Sequence, residues 1–174
     1  NARLDTTIEV AQDIGLRFHA ARGAMSRGES KGGLPPDSCV EDEDAILADA
    51  ERLIGRYHDM SDQAMTRIVL APCSPFSVTP QLMKDAAALA RSHDGVRLHS
   101  HIAEVLDEET YCHQIYGMRS VGFAESVGWL GPDVWFAHAI FLNDAEIRLF
   151  AETGTGATAV GGRRDLDREV VAVA

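Results

Sequence analysis

The sequence predicts an α/β chain of repeating βα units, and three observations carry that expectation. Helix and strand signals alternate along the chain, giving about five strands at roughly 30-residue spacing. The strands are short apolar runs, as in parallel sheets covered by helices. Side chains capable of chemistry recur at strand C-termini: His19 and Arg22, Cys73, His101 with Glu104, and His138. Right-handed crossovers leave two architectures, a doubly wound sheet or a section of a (β/α)8 barrel. Composition does not choose between them. Barrels gather their active sites at the C-terminal ends of many strands, whereas a doubly wound sheet concentrates its groups at one switch point. The recurrence at one rim therefore favours the barrel.

The elements follow in order. Residues 3–14 read as an amphipathic helix and 16–20 as a strand. A polar stretch, 22–40, contains Lys31-Gly32-Gly33-Leu34-Pro35-Pro36 and has the length of a functional lid. Helical periodicity returns from Glu41 to about His58 behind an acidic start suited to a helix N-terminus. Strand 67–71 is stopped by Pro72 and Pro75. Thr79-Pro80 opens a helix to Arg91, with Thr79 as N-cap and Pro80 in the first turn. Strand 96–101 precedes helical material from Glu104 to Val127, broken near Gly117. Strand 133–138 follows, then a helix capped by Asn143 with Glu146 placed for a capping box. The last strand is 156–160.

Composition narrows the function. The 174 residues are 45% hydrophobic and 25% charged, which is globular composition. A net charge of −11 argues against nucleic acid and against an anionic membrane surface as partners. No apolar run approaches transmembrane length. Three cysteines, Cys39, Cys73 and Cys112, form no close-spaced metal motif and suit a reducing cytoplasm.

The most informative run is Val96 to Glu104. His99 and His101 share one face of their strand, and Glu104 must reach back over it from the turn. A neutral imidazole is a good ligand for a divalent metal, and a non-ligand carboxylate beside it can move protons. Solvated strand-end residues are the plain alternative. His138 ends the apolar run Val134-Trp135-Phe136-Ala137 and is read beside His101 and Glu104, against the alternative of a core histidine. Cys73 is equally a small buried hydrophobe. Arg22, just past its strand, suits a substrate carbonyl or anion as well as it suits the surface. His58, His93 and His113 are expected to be solvated, His19 to fill space, and Trp129 and Trp135 to pack.

The runs Ala71-Pro72-Cys73-Ser74-Pro75-Phe76-Ser77-Val78, Leu98-His99-Ser100-His101-Ile102-Ala103-Glu104 and Gly128 to His138 resemble the amidohydrolase superfamily, in its 8-oxoguanine deaminase branch. The loop Gly28 to Ser38 is similar as well. The resemblance implies a metal-dependent hydrolase barrel, present as a partial barrel of about five βα units over residues 1–156, with a divergent tail over 157–174. It implies one divalent metal, zinc, held by His101, with Glu104 as proton shuttle and His138 orienting the attacking water or the substrate. Cys73 and Arg22 are the candidate substrate contacts. The first-strand H-x-H pair and the eighth-strand Asp that complete such a centre are not matched, so the chain is expected to be the middle of a barrel and inactive alone.

The reading is thus a hydrolytic deaminase of a purine-like base, with a small heterocyclic substrate and with oligomerisation of the full-length protein left open. The alternatives are a triazine- or cytosine-type amidohydrolase and a non-catalytic barrel fragment. A doubly wound binding module ranks last, because no G-x-G-x-x-G or P-loop signal is present.

Overall fold

The computed structural model describes residues 4–158. Five strands form one sheet in the order β1-β2-β3-β4-β5, every neighbouring pair parallel. They are β1 (Phe18–Ala24), β2 (Thr66–Pro72), β3 (Arg97–Ile102), β4 (Val134–His138) and β5 (Gly156–Thr158). Between them run α1 (Leu4–Asp13), α2 (Glu43–Tyr57), α3 (Pro80–Arg91), α4 (Leu106–Tyr116), α5 (Ser120–Ser126) and α6 (Asp144–Thr153). A doubly wound sheet would reverse strand order at a switch point. Uninterrupted sequential order is the pattern of a section of (β/α)8 barrel.

Local chemistry sets the boundaries. Asp42 and Thr79 cap α2 and α3 by accepting from the Ala45 and Leu82 amides. Asn143 and Glu146 form the complete capping box of α6, a device worth about 1 kcal/mol. Gly117 closes α4 in the left-handed region at φ +71°, which separates α4 from α5.

One sheet face carries the core. Ile68, Leu70, Leu98, Ile102, Val134 and Phe136 pack against Leu53 and Ile54 of α2, Leu82 and Met83 of α3, and Val121 and Phe123 of α5. Trp129 is fully buried, and its Nε1–H donates to the Met83 carbonyl at 2.7 Å. The opposite face, the concave side of a barrel, holds rings. Trp135 stacks on His99 at 4.9 Å between centroids and meets His19 at 5.3 Å.

Several expectations change. β1 begins at Phe18 and runs to Ala24, so Arg22 lies inside the strand rather than beyond it. His58 is tied in place: its Nδ1 accepts from the Ile68 amide at 3.0 Å and its Nε2 donates to the Asp94 carbonyl at 2.9 Å. The stretch after β1 is an ordered strap. Tyr111 donates to the Gly32 carbonyl, Arg27 to the Tyr116 hydroxyl, and Leu34 to the Phe76 carbonyl. Gly33 lies so close that a Cβ there would stand 2.1 Å from the Arg27 carbonyl oxygen. β5, Gly156–Thr158, covers the first three residues of the strand expected over 156–160. The rest of the expected tail, 159–174, and the end of the strand expected over 156–160 lie outside the described residues.

Candidate active site

His101 is on the concave face of β3. Its backbone N–H donates to the Cys73 carbonyl at 2.9 Å, and its Nδ1 lies 2.8 Å from the same oxygen. A carbonyl only accepts, so Nδ1 carries the hydrogen, and in the neutral ring the lone pair is on Nε2. Ser100 holds that carbonyl from behind, its Oγ donating to both Pro72 and Cys73. The Cys73 thiol is a longer contact, 3.9 Å from Nδ1. This contact raises the His101 imidazole to about 8 against its partial burial, and it lowers the thiol. The carbonyl, being nearer and better matched to an N–H donor, sets the ring's orientation.

His138 reaches the same place by an unusual route. Its register partner is Ile102, whose side chain is in the core on the helix side. The His138 ring nevertheless lies 5.4 Å from the His101 ring. A φ of +74° at His138 turns the side chain back to the concave side. Left-handed backbone outside glycine costs on the order of 1–3 kcal/mol and clusters at functional sites.

Glu104 meets His138 from the neighbouring strand end, with Oε1 3.4 Å from Nε2. Its reversal depends on Ala103, also left-handed at φ +51° and fully buried. Glu108 fixes this turn: Oε1 accepts from the Ala103 amide at 2.8 Å and Oε2 from the Glu104 amide at 3.1 Å. Burial pushes the Glu108 carboxyl up to about 7 despite those two donors. The Ala103 carbonyl in turn accepts from the Ile140 and Phe141 amides, which binds the loop after β4 to the loop after β3. Arg119 closes the outside of that loop, donating to the Phe141 carbonyl and to Glu146. It also pairs with Glu109 at 3.2 Å, outside hydrogen-bond alignment.

The structure therefore brings together His101, Glu104, His138 and Cys73. It does not bring Arg22 to them. The Arg22 side chain points to the helix side, with Nε on Asp49 at 2.7 Å, Nη2 on Glu41 at 2.9 Å and Nη1 on the Gly23 carbonyl and Glu41. With all three nitrogens engaged in a half-buried ion-pair cluster, the substrate contact expected of Arg22 is corrected to a structural link between β1 and α2. Ala103 and Glu108 were missed in the sequence. Glu108 stands in the acidic run Asp107-Glu108-Glu109, which reads as a solvated helix start, and nothing in the run marks it as buried. A concavity at the other end of the sheet, lined by His19, Met65 and Arg67, lies away from this cluster.

The metal the resemblance implies can be tested against the donors. His101 fits: its Nδ1–H is held by a carbonyl and its Nε2 is free, the arrangement typical of a ligating histidine. Among the described residues no three His, Cys, Asp or Glu side chains are grouped to hold an ion.

A parallel βα sheet with His, Glu and His converging at its C-terminal rim is the arrangement of a barrel section whose site lies at its strand ends. The Amidohydrolase family matches residues 2–170, and the chain belongs to that family. It is 53% identical over 153 residues to an 8-oxoguanine deaminase of Pseudomonas aeruginosa, covering 88% of this chain and 34% of that protein. It is 42% identical to a hydroxydechloroatrazine ethylaminohydrolase of a Pseudomonas species, covering 88% of this chain and 31% of that protein. Atrazine chlorohydrolase from Arthrobacter aurescens, solved in complex with zinc, superposes with a TM-score of 0.87 at 39% identity, over 92% of this chain and 35% of that one. The chain thus spans about a third of the length of the relatives it matches. Among the described residues no helix is long and apolar enough to cross a membrane.

Proposed function

We propose that this chain supplies part of the active site of a metal-dependent hydrolytic deaminase acting on a purine-like ring of the 8-oxoguanine type. The observation that carries the reading is the meeting of Glu104 and His138 beside His101, in a chain 53% identical to an 8-oxoguanine deaminase. His101 would hold one divalent ion through Nε2, zinc by likeness to the neighbour solved with it, and the remaining donors would come from outside the described residues. Such an ion, when bound, polarises water and lowers its pKa.

Glu104 accepts the proton of the attacking water and delivers it to the departing nitrogen. Water adds to the amino-bearing ring carbon, the C–N bond breaks, ammonia leaves and a ring carbonyl remains. His138 faces the Glu104 carboxylate at 3.4 Å and orients the water or substrate beside it. Cys73 borders the cluster and is retained as a substrate contact. Relay of this kind contributes about 10²–10⁴-fold to rate. The acidic chain and three free thiols fit a cytoplasmic enzyme of purine-base breakdown with a small heterocycle as its partner.

The test is ammonia release by the full-length protein carrying this chain, loaded with zinc and offered 8-oxoguanine, isoxanthopterin and an amino-substituted triazine. Turnover of 8-oxoguanine or a close purine analogue is the expected result. Preference for the triazine would establish the second reading, which the 42% identity to the triazine-named relative favours. No turnover of any ring would leave a non-catalytic barrel. Residues 1–174 alone are expected to release no ammonia, since one imidazole chelates far more weakly than a closed site.

A further inference from the structure

We infer that Glu108 is a positioning residue, whose buried carboxylate grips the backbone of Ala103 and Glu104 and so holds the turn that aims Glu104 at His138. This rests on the reading of Glu104 as the proton carrier.

Glu108 occupies the third position of α4, where an acidic side chain ordinarily reaches back to the N-cap amide. The chain provides its own comparison. In α6, Glu146 at the same helical position accepts from the amide of its N-cap, Asn143, at 2.8 Å. In α4 the N-cap is Val105, which offers no capping side chain, and Glu108 passes over it to the two residues before. A helix start could be capped far more cheaply by Ser or Asp at position 105. Burying a full carboxylate, 0% exposed, is an expensive way to cap a helix.

Its two bonds fall on a segment that must stay in an unfavourable conformation. Ala103 is left-handed, and its carbonyl holds the Ile140 and Phe141 amides just after His138. Through one residue, Glu108 therefore fixes the backbone of both strand-end loops that deliver Glu104 and His138. A neutral amide cannot replace it. Gln offers one acceptor oxygen, and its NH₂ would face an N–H donor.

The experiment uses the full-length, metal-loaded protein with Glu108→Gln and Glu108→Asp, the latter keeping the charge but one methylene too short to reach both amides. Misplacing a reacting group by about 1 Å costs on the order of 10²-fold. Glu108→Gln should lower kcat by about that factor with KM changed less than about threefold and metal content unchanged. In a Glu104→Gln background, adding Glu108→Gln should lower the residual rate by less than about threefold, because the group being positioned is already gone. Hydrogen exchange of the peptide covering residues 100–106 should speed by at least about tenfold at the Ala103 and Glu104 amides, while the interior of α4 keeps its protection. Should Glu108→Gln not fold, Glu108→Asp carries the same readings.

Folded variants with kcat within about threefold of the parent would overturn the inference. So would an equal loss in both backgrounds, which marks a general structural effect. Unchanged exchange at Ala103 and Glu104 would overturn it even in a protein that deaminates none of the heterocycles. In that protein the proposed function would fall separately, on the substrate panel.

Discussion

His138 and Ile102 are register partners across β4 and β3, yet their side chains lie on opposite sides of the sheet. Ile102 follows the pleat into the core. His138 breaks it, because its left-handed φ of +74° swings the ring back over His101. A strand end with ordinary dihedrals would bury this imidazole among apolar side chains, where a polar ring without partners costs free energy. The backbone at His138 is thus part of the site.

That strain can be measured. Ala at position 138 keeps the unfavourable φ and loses the ring, whereas Gly adopts the same φ without a Cβ penalty. His138→Gly should therefore be more stable than His138→Ala by about 1 kcal/mol in urea unfolding, and both should lose turnover. Equal stability of the two variants would mean that position 138 is not held left-handed.

Glu104→Gln keeps the shape of the side chain and removes its ability to carry a proton. In the full-length protein it should retain the metal, measured by elemental analysis, and lose about 10²–10⁴-fold in kcat. Loss of metal with this variant would make Glu104 a ligand rather than a relay.

Arg22 tests the corrected assignment. Arg22→Met removes the guanidinium bonds to Glu41 and Asp49, Asp49 keeping its pair with Arg52, at a cost of about 1.5–3 kcal/mol in unfolding free energy. KM for the heterocycle should stay unchanged. A raised KM with undiminished stability would return Arg22 to the substrate.

What the sequence conveyed was local. Thr79 with Pro80, and Asn143 with Glu146, announce helix starts through interactions spanning three residues, and the structure forms both. The apolar runs ending at His101 and His138 mark strands because burial on a covered sheet demands them. The site was legible where chemistry coincides with a strand end. It was illegible where function depends on a backbone state or a long reach. Nothing in Ile102-Ala103-Glu104 reports the left-handed φ of Ala103, since alanine ordinarily avoids it. Arg22 looked free because its partners are 19 and 27 residues away in sequence. His58 looked solvated for the same reason, its carbonyl partner belonging to Asp94.

Glu108 should also leave a signature in the pH dependence of stability. Burial, the largest influence on it, raises its carboxyl from 4.5 to about 7, against the two backbone amides, while Glu109 and Glu104 add to the rise. The folded protein then binds this proton more tightly than the unfolded chain does. Between pH 4.5 and about 7 the native state holds more protons at this site, so the site's contribution to unfolding free energy falls as pH rises. The cost is absent well below 4.5 and complete above about 7, where a shift of this size corresponds to roughly 3 kcal/mol. Glu108→Gln removes the titration while keeping the volume. Its own mismatch with the Ala103 and Glu104 amides adds a constant offset, so the slope is the quantity to read. Urea unfolding of parent and variant from pH 5 to pH 8 should show the parent losing stability relative to the variant as pH rises. Parallel curves over that range would show that the Glu108 carboxyl titrates alike in the folded and unfolded states, with its two backbone donors fully offsetting its burial.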